Sequence, residues 1–316
     1  MNDYQAEFDN KMLLADLQVI IQVAEFRSIT AAATSLDMST ATASAAVKRV
    51  EKSLGIELFI RTTRHLRLSS AGERYLPMCQ EAMRTLALAE QNLKEELDVV
   101  EGEMRLTTSS DLGRNLVVNW LDEFMDEHPK IKIKAYISDT NVDFYRDPVD
   151  FALRYGAQTD ANVYGFKICD VPRVLCAAPG YLSKHDELTH PEQLASHNGL
   201  FYQLQDIVHD VWLFSQDDNV FKIKMTGNRA SNDGDLVRRW ALAAKGIAVK
   251  SCLDIASDLL NNRLINVMPQ FTPTPSELWL VCPSRQSITP ALRLLREHFR
   301  TKCSNILQQL YSRKII

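Results

Sequence analysis

The chain has no apolar run approaching the ~18 residues that a membrane-spanning helix needs. Its opening, MNDYQAEFDN, has neither the basic nor the apolar segment of a secretory leader, so a cytoplasmic location is expected. No CxxC pair occurs among the six cysteines (Cys79, Cys169, Cys176, Cys252, Cys282, Cys303), and no histidine sits at metal-ligand spacing. In a reducing compartment such scattered cysteines are small buried hydrophobes. GxGxxG, GxxxxGK[ST], HExxH and GxSxG are absent, and His185, His190 and His197 lie in a Pro-containing stretch without a partner pattern. No catalytic residues, metal or cofactor are expected.

What is present is an ordinary globular composition, 46% hydrophobic and 24% charged. At 316 residues the chain exceeds what one core serves, so two or more domains are expected. A net charge of -4 argues against a molecule that coats nucleic acid nonspecifically. Local charge differs. Residues 39 to 74 carry seven basic side chains and three acidic ones, whereas residues 90 to 103 carry six acids against Lys94. Positive charge concentrated in one short segment is how a small nucleic-acid footprint looks inside an acidic protein.

That segment follows two helical patterns. Leu13, Leu17, Ile20, Ile21 and Ala24 recur at helical spacing, and Ser28 is placed to cap a short helix, ITAAATSL. The DMS break comes next, where Asp37 suits a sharp turn because Asp tolerates positive φ. A third helix runs from about Ser39 to Leu54, with Ala43, Val47, Val50 and Leu54 as its buried stripe. Ala41, Ser44, Ala45 and Lys48 line another face, flanked by Thr40, Thr42, Arg49 and Lys52. Helix, tight turn and a basic, hydroxyl-rich helix form the helix-turn-helix plan, whose second helix enters a DNA major groove. After it, IELFIRTTRHLRLSSAGERYL reads as a two-stranded wing with Arg61, Arg64 and Arg67 suited to phosphate or minor-groove contact.

The stretch AEFRSITAAATSLDMSTATASAAVKRVEKSLGIELFIRTTRHLRLSSAGERYL resembles the N-terminal winged helix-turn-helix of LysR-type transcriptional regulators, most strongly in LGIELFIRTTRHLRLSSAG. The resemblance implies DNA contact by Ser39, Thr40, Thr42, Ser44, Ala45, Lys48, Arg49, Arg61, Thr62, Arg64 and Arg67. It departs at two places. Asp37 stands where the family usually has Gly, and Ala45 and Ala46 stand where members often carry Arg or another long polar side chain, which removes bidentate base readout there.

Ser70 with Glu73 matches a capping box that opens a long helix. Leu76, Cys79, Met83, Leu86, Glu90, Leu93, Leu97 and Val100 then step by three and four over roughly three and a half heptads. This seam predicts pairing with a second chain through Leu76, Met83, Leu86, Leu93 and Leu97. The resemblance agrees, implying a homodimer and often a tetramer on an interrupted palindromic operator. Pro77 is expected to kink this helix or shift its start.

From Met104 strands alternate with helices, a pattern that predicts parallel sheets with ligands beyond their carboxyl ends. The runs VDFALRYG, AAPGYL and NDGDLVRRWALAAKGIAV resemble the family's effector-binding region, two α/β subdomains with a cleft between, like a periplasmic binding protein. The expected fold is therefore multidomain. Residues 1–69 hold an extension and the winged helix-turn-helix, 70–101 the linker helix, and 102–316 the α/β effector domain. Within the last, subdomain I covers about 102–168 and 269–316, and subdomain II about 169–268. Candidate effector contacts are Ser109 and Ser110 before a helix, Phe201 with Tyr202 as an apolar wall, Asn232 or Asp233 at the next helix start, and Arg154 and Lys250 as cations. Lys250 implies either an anionic effector or a filled pocket with none. A DNA-binding regulator under a small-molecule or other signal is the expected function; the rival is a solute-binding protein without a specific DNA target.

Overall fold

The computed structural model describes residues 12–61, 66–94, 100–140, 144, 149–156, 163–204 and 206–316. Two compact units divide the chain between Lys94 and Glu95.

The first unit comprises α1 (Leu14–Phe26), α2 (Ile29–Ser35), α3 (Thr40–Leu54), the antiparallel pair β1 (Phe59–Arg61) and β2 (Leu66–Leu68), and α4 (Ser70–Lys94). Its core joins Val19, Ile20 and Val23 of α1, Ala32 and Ala33 of α2, Ala43, Ala46, Val47 and Val50 of α3, and Leu58 and Phe59. Small residues at the α2–α3 contact let the backbones approach closely. On α1 the buried face is Asp16, Leu17, Val19, Ile20 and Val23, while Leu13 is exposed. The face is rotated from the expected one because Asp16 is drawn inside by a charged partner on α3. Ser28 caps α2, accepting from the Ala31 N–H at 3.2 Å. Asp37 takes the turn at φ 50, the left-handed region that its residue type tolerates.

Helix α3 ends at Gly55 with φ 66, and no atom lies within 4 Å of a Cβ added there. Gly55→Ala therefore tests backbone strain alone and should cost about 1 kcal/mol, read as a lower urea midpoint at unchanged m-value. The cap of α4 is Ser69 rather than the expected Ser70. The Ser69 hydroxyl accepts from the Gly72 N–H at 3.0 Å and donates to the Glu57 carbonyl at 2.7 Å, which ties the helix start to the wing. Gly72 is needed there, since a Cβ would lie 2.3 Å from the Leu58 carbonyl oxygen. The helix continues through Pro77, whose ring does not shift its start.

The second unit is an α/β body with mixed rather than parallel sheets. Strands β3 (Gly102–Thr108), β4 (Ile131–Ile137), β5 (Phe151–Tyr155), β6 (Tyr164–Val171) and β16 (Ser276–Cys282) form one five-stranded sheet in the order β4-β3-β5-β16-β6. The pairs β3–β4 and β3–β5 are parallel; β16 lies antiparallel to both β5 and β6. Between β3 and β4 run α5 (Ser110–Leu112), a wider π-turn (Gly113–Val117) and α6 (Val118–Glu127). From Arg173 to Pro273 the chain builds a second subdomain: β7 (Arg173–Ala177), α7 (Pro179–Leu182), β8 (Leu200–Leu204), β9 (Ile207–Val208), β10 (Val211–Gln216), β11 (Asn219–Lys224), β12 (Arg229–Ser231), α8 (Gly234–Leu242), β13 (Ala248–Ser251), α9 (Ala256–Leu260), β14 (Ile265–Asn266) and β15 (Thr272–Pro273). These strands make three three-stranded sheets, ordered β11-β10-β15, β12-β8-β9 and β13-β7-β14.

Strand β7 is buried on both faces. Val174 and Cys176 enter the core shared with the five-stranded sheet, while Leu175 and Ala177 enter a second core with Tyr181, Trp212 and Phe214. The period of two thus places one strand between two cores. The closing helix α10 (Pro290–Ser312) is capped by Thr289 and returns Leu292, Leu295, Phe299 and Cys303 to the first core.

Candidate DNA-reading face and effector cleft

On α3 the buried side is Ala43, Ala46, Val47 and Val50. Ala41, Ala45, Lys48 and Lys52 follow i, i+4, i+7 and i+11 on the opposite side, and all are exposed. Thr40 is exposed and Ser44 half-buried at the edge of that stripe. Ala46 belongs to the core, so only Ala45 of the two alanines presents a methyl group outward. Ser39 is the N-cap: its hydroxyl accepts from the Thr42 N–H at 3.1 Å and lies 2.8 Å from the Thr42 hydroxyl. Both residues are exposed, with hydroxyls already engaged in holding the helix start.

Arg49 has a partner within the unit. It forks onto buried Asp16, Nη2 to Oδ1 at 2.5 Å and Nε to Oδ2 at 3.2 Å, and so locks α1 to α3. Two of its five N–H donors serve Asp16, and the side chain stays half exposed. Glu51, unremarked in the sequence, accepts from the N–H groups of Leu58 and Phe59 at 2.9 and 3.1 Å and anchors the wing to α3. In the wing, exposed Arg67 pairs with Ile60, and the Arg61 backbone pairs with Leu66. Thr62 and Arg64 lie outside the described residues.

The seam of α4 divides. Tyr75 and Leu76 pack on the unit's own core and Cys79 is buried; burial pushes the Tyr75 hydroxyl up to about 12. Met83 is half-buried, while Met78 and Leu86 are 71% and 43% exposed. Leu93 continues the helix, and Leu97 lies outside the described residues.

In the second unit, β3 and β4 end side by side, with Thr108 beside Ile137. Ser110 is buried there, as expected for a position at the sheet's carboxyl end, but its partner is internal. The Ser110 N–H and hydroxyl donate to Asp139 at 2.6 and 2.5 Å. Asp233, rather than Asn232, caps α8, accepting from the Leu236 N–H at 3.0 Å and pairing with Arg114 at 2.8 Å; Asn232 is exposed. Arg154 donates to the Ser138 carbonyl and, at 2.8 Å, to the Thr107 hydroxyl, so its fork braces the strand ends. Phe201 is a correction: it is only 6% exposed and packs edge-on against Trp212 in the second core. The half-buried neighbour Tyr202 carries the cleft-side hydroxyl, which burial and then the charge of Asp139 raise to about 12.

Lys250 is the largest correction. Its ammonium is buried, ion-paired with Asp111, and donates to the Gly234 carbonyl at 3.0 Å. Burial opposes its charge, but the Asp111 and Asp254 carboxylates outweigh it and hold Lys250 above the usual lysine value. Below it, the Tyr155 hydroxyl donates to Asp254 at 2.6 Å and accepts from Ser251 at 3.0 Å. Asp111, Asp139 and Asp254 escaped sequence reasoning, though SSD and ISD at strand ends are a readable signal of acids at a cleft. Among the described residues no cluster fit for a metal occurs, and no helix is long and apolar enough to cross a membrane.

Two family models match the chain: the LysR substrate binding domain over residues 98–304 and the bacterial regulatory helix-turn-helix protein, lysR family, over residues 14–73. It is 28% identical over 292 residues to the HTH-type transcriptional regulator DmlR of Escherichia coli K12, covering 92% of this chain and 95% of that protein. The HTH-type transcriptional activator TtdR of the same organism is 26% identical over 299 residues, covering 93% and 95%. Among solved structures, the regulator CrgA of Neisseria meningitidis aligns with a TM-score of 0.56 at 25% identity, covering 94% of this chain and 98% of that one. The full-length Vibrio cholerae virulence activator AphB aligns at 0.55 and 24%, covering 92% and 99%. The substrate-domain match alone spans well over half of the residues, and with the helix-turn-helix before it the chain belongs to the LysR family of DNA-binding transcriptional regulators.

Proposed function

We propose that this regulator binds an interrupted palindrome as a homodimer in the cytoplasm, with α3 of each copy in a major groove and the wing on the adjoining backbone. The observation that carries this reading is the exposed stripe of Ala41, Ala45, Lys48 and Lys52 opposite the buried one. Small side chains let the helix backbone approach the groove floor. Thr40 and Ser44 then supply hydroxyls and Ala45 a methyl, so that methyl contact and DNA shape contribute more than bidentate pairing. Arg67, with Arg61, Thr62 and Arg64, serves the phosphates. Lys48→Ala should weaken binding to all sequences alike and reduce the salt slope by about one, measured by gel shift across a salt series. An unchanged slope would remove Lys48 from the contact.

Pairing through α4 is supported by Met78 and Leu86, apolar and exposed in the single chain. A signal sensed in the second unit would alter the angle between its subdomains and so the spacing of the two DNA-binding units. No catalytic step is assigned to the chain. The deciding experiment is a gel shift with the DNA upstream of the protein's own gene. Retardation that depends on sequence supports the regulator; its absence leaves a ligand-binding protein without a specific operator.

A further inference from the structure

Asp139 follows β4, and its carboxylate takes three donors from two places far apart in the chain. Oδ1 accepts the Ser110 N–H at 2.6 Å. Oδ2 accepts the Ser110 hydroxyl at 2.5 Å and the Gly234 N–H at 2.8 Å. Ser110 opens the helical run beside the five-stranded sheet, whereas Gly234 opens α8 in the other subdomain. The Ser110 hydroxyl in turn accepts from the Asp235 N–H at 3.3 Å. One carboxylate therefore joins the two subdomains at the carboxyl ends of β3 and β4. The flanking cross-links, Arg114 to Asp233 and Asn115 to Asp235 at 3.1 Å, lie on the same two helices.

We propose that Asp139 is a built-in clasp of the cleft, holding the two subdomains together with the chain's own carboxylate, so that the closed arrangement needs no bound effector. The inference rests on the reading of this cleft as the signal-sensing site. Its physical basis is that charge-assisted hydrogen bonds to an acceptor fixed at a strand end are stronger than neutral ones and carry no association cost. Opening the cleft strips Asp139 of the Gly234 N–H and Ser110 of the Asp235 N–H together. A signal that opens the cleft must supply replacements for both.

The test uses the full-length chain without DNA. Asp139→Ala leaves the Ser110 and Gly234 donors without their acceptor. Amide hydrogen exchange of the segments containing Ser110 and Gly234 is followed in sodium chloride and in sodium formate or acetate at equal ionic strength. Exchange at both segments should accelerate about tenfold or more in chloride. Formate or acetate should restore protection in the variant, saturably, and leave the wild type as it is in chloride. Unchanged exchange in the variant, or an identical response of both proteins to the carboxylates, overturns the proposal. If Asp139→Ala fails to fold, Asp139→Asn decides: its amide keeps the shape and turns one acceptor into a donor, so faster exchange is expected at Ser110 or at Gly234, according to which N–H then faces the amide nitrogen, and wild-type exchange at both overturns the clasp. A wild type that retards no operator would sink the regulator reading while leaving the exchange result intact.

Discussion

Lys250→Met destabilises the second unit by about 3–5 kcal/mol, because the substitution leaves the Asp111 carboxylate buried without its cation. Asp111 and Lys250 are 3% and 7% exposed, and the Lys250 ammonium also satisfies the Gly234 carbonyl at the first turn of α8. Removing the ammonium thus strands a charge and a carbonyl together. Solvent cannot reach either without moving α8. Chemical denaturation checks it, as a drop in midpoint with the wild-type m-value. The companion Asp111→Leu in the Lys250→Met background should recover most of the loss, since replacing both members of a buried pair by apolar groups is often near neutral. A single variant within 1 kcal/mol of wild type would mean that Asp111 is not ionised in the folded state.

The same pair shows where sequence reading reaches and where it stops. Lys250 was visible as an unusual cation in AVKS, but its partner sits 139 positions away and is chosen by the packing of α8 against the π-turn region, which no local pattern encodes. Helix starts are more legible: Ser28 caps as expected, because a side-chain oxygen at that place satisfies an N–H close by in the chain, and Ser39 and Thr289 do the same in the structure. Ser69 displaced Ser70 because only its hydroxyl reaches both Gly72 and the Glu57 carbonyl. The recognition-helix stripe is readable from periodicity, except that Ala46 turns inward and exposed Arg49 pairs with Asp16, a buried acid in an otherwise apolar face. Among strands, β6 is hard to delimit in the sequence because Pro172 and the next strand follow it at once, leaving no turn signal between them. Of the hairpin β10–β11, the run FKIKMTG marks β11 as a strand, whereas β10 goes unmarked despite its alternation and the two-residue Asp217-Asp218 turn, with Asp217 at φ 50. The parallel-sheet expectation failed at β16, which returns from the second subdomain and lies antiparallel between β5 and β6.

Raising the pH from 5 to 8 should destabilise the second unit through Asp254, and Asp254→Asn should abolish that loss. Three buried groups, Asp111, Asp254 and Lys250, provide two carboxylates for one ammonium. Burial, followed by the charge of Asp111, raises Asp254 from its ordinary 3.8 to about 8, against the pull of Lys250. Tyr155 hydrogen-bonds to it, and half-buried Arg173 and Asp139 act at longer range. Between the unfolded value near 4 and the folded value, the native chain binds a proton that the unfolded chain does not. Stability is therefore fully present below pH 4 and falls as pH rises towards 8, by up to about 1.4 kcal/mol per unit for one proton. Because the acids share that proton, the titration belongs to the group rather than to Asp254 alone. An Asn amide keeps an acceptor for the Tyr155 hydroxyl and has no proton to lose. Wild-type and variant unfolding free energies from denaturation should lie close at pH 5 and separate by about 2–4 kcal/mol at pH 8 in favour of Asp254→Asn. Parallel curves across that range would place the proton elsewhere in the cluster. A steeper loss in the variant would show that the carboxylate at Asp254 stabilises the fold in its charged form.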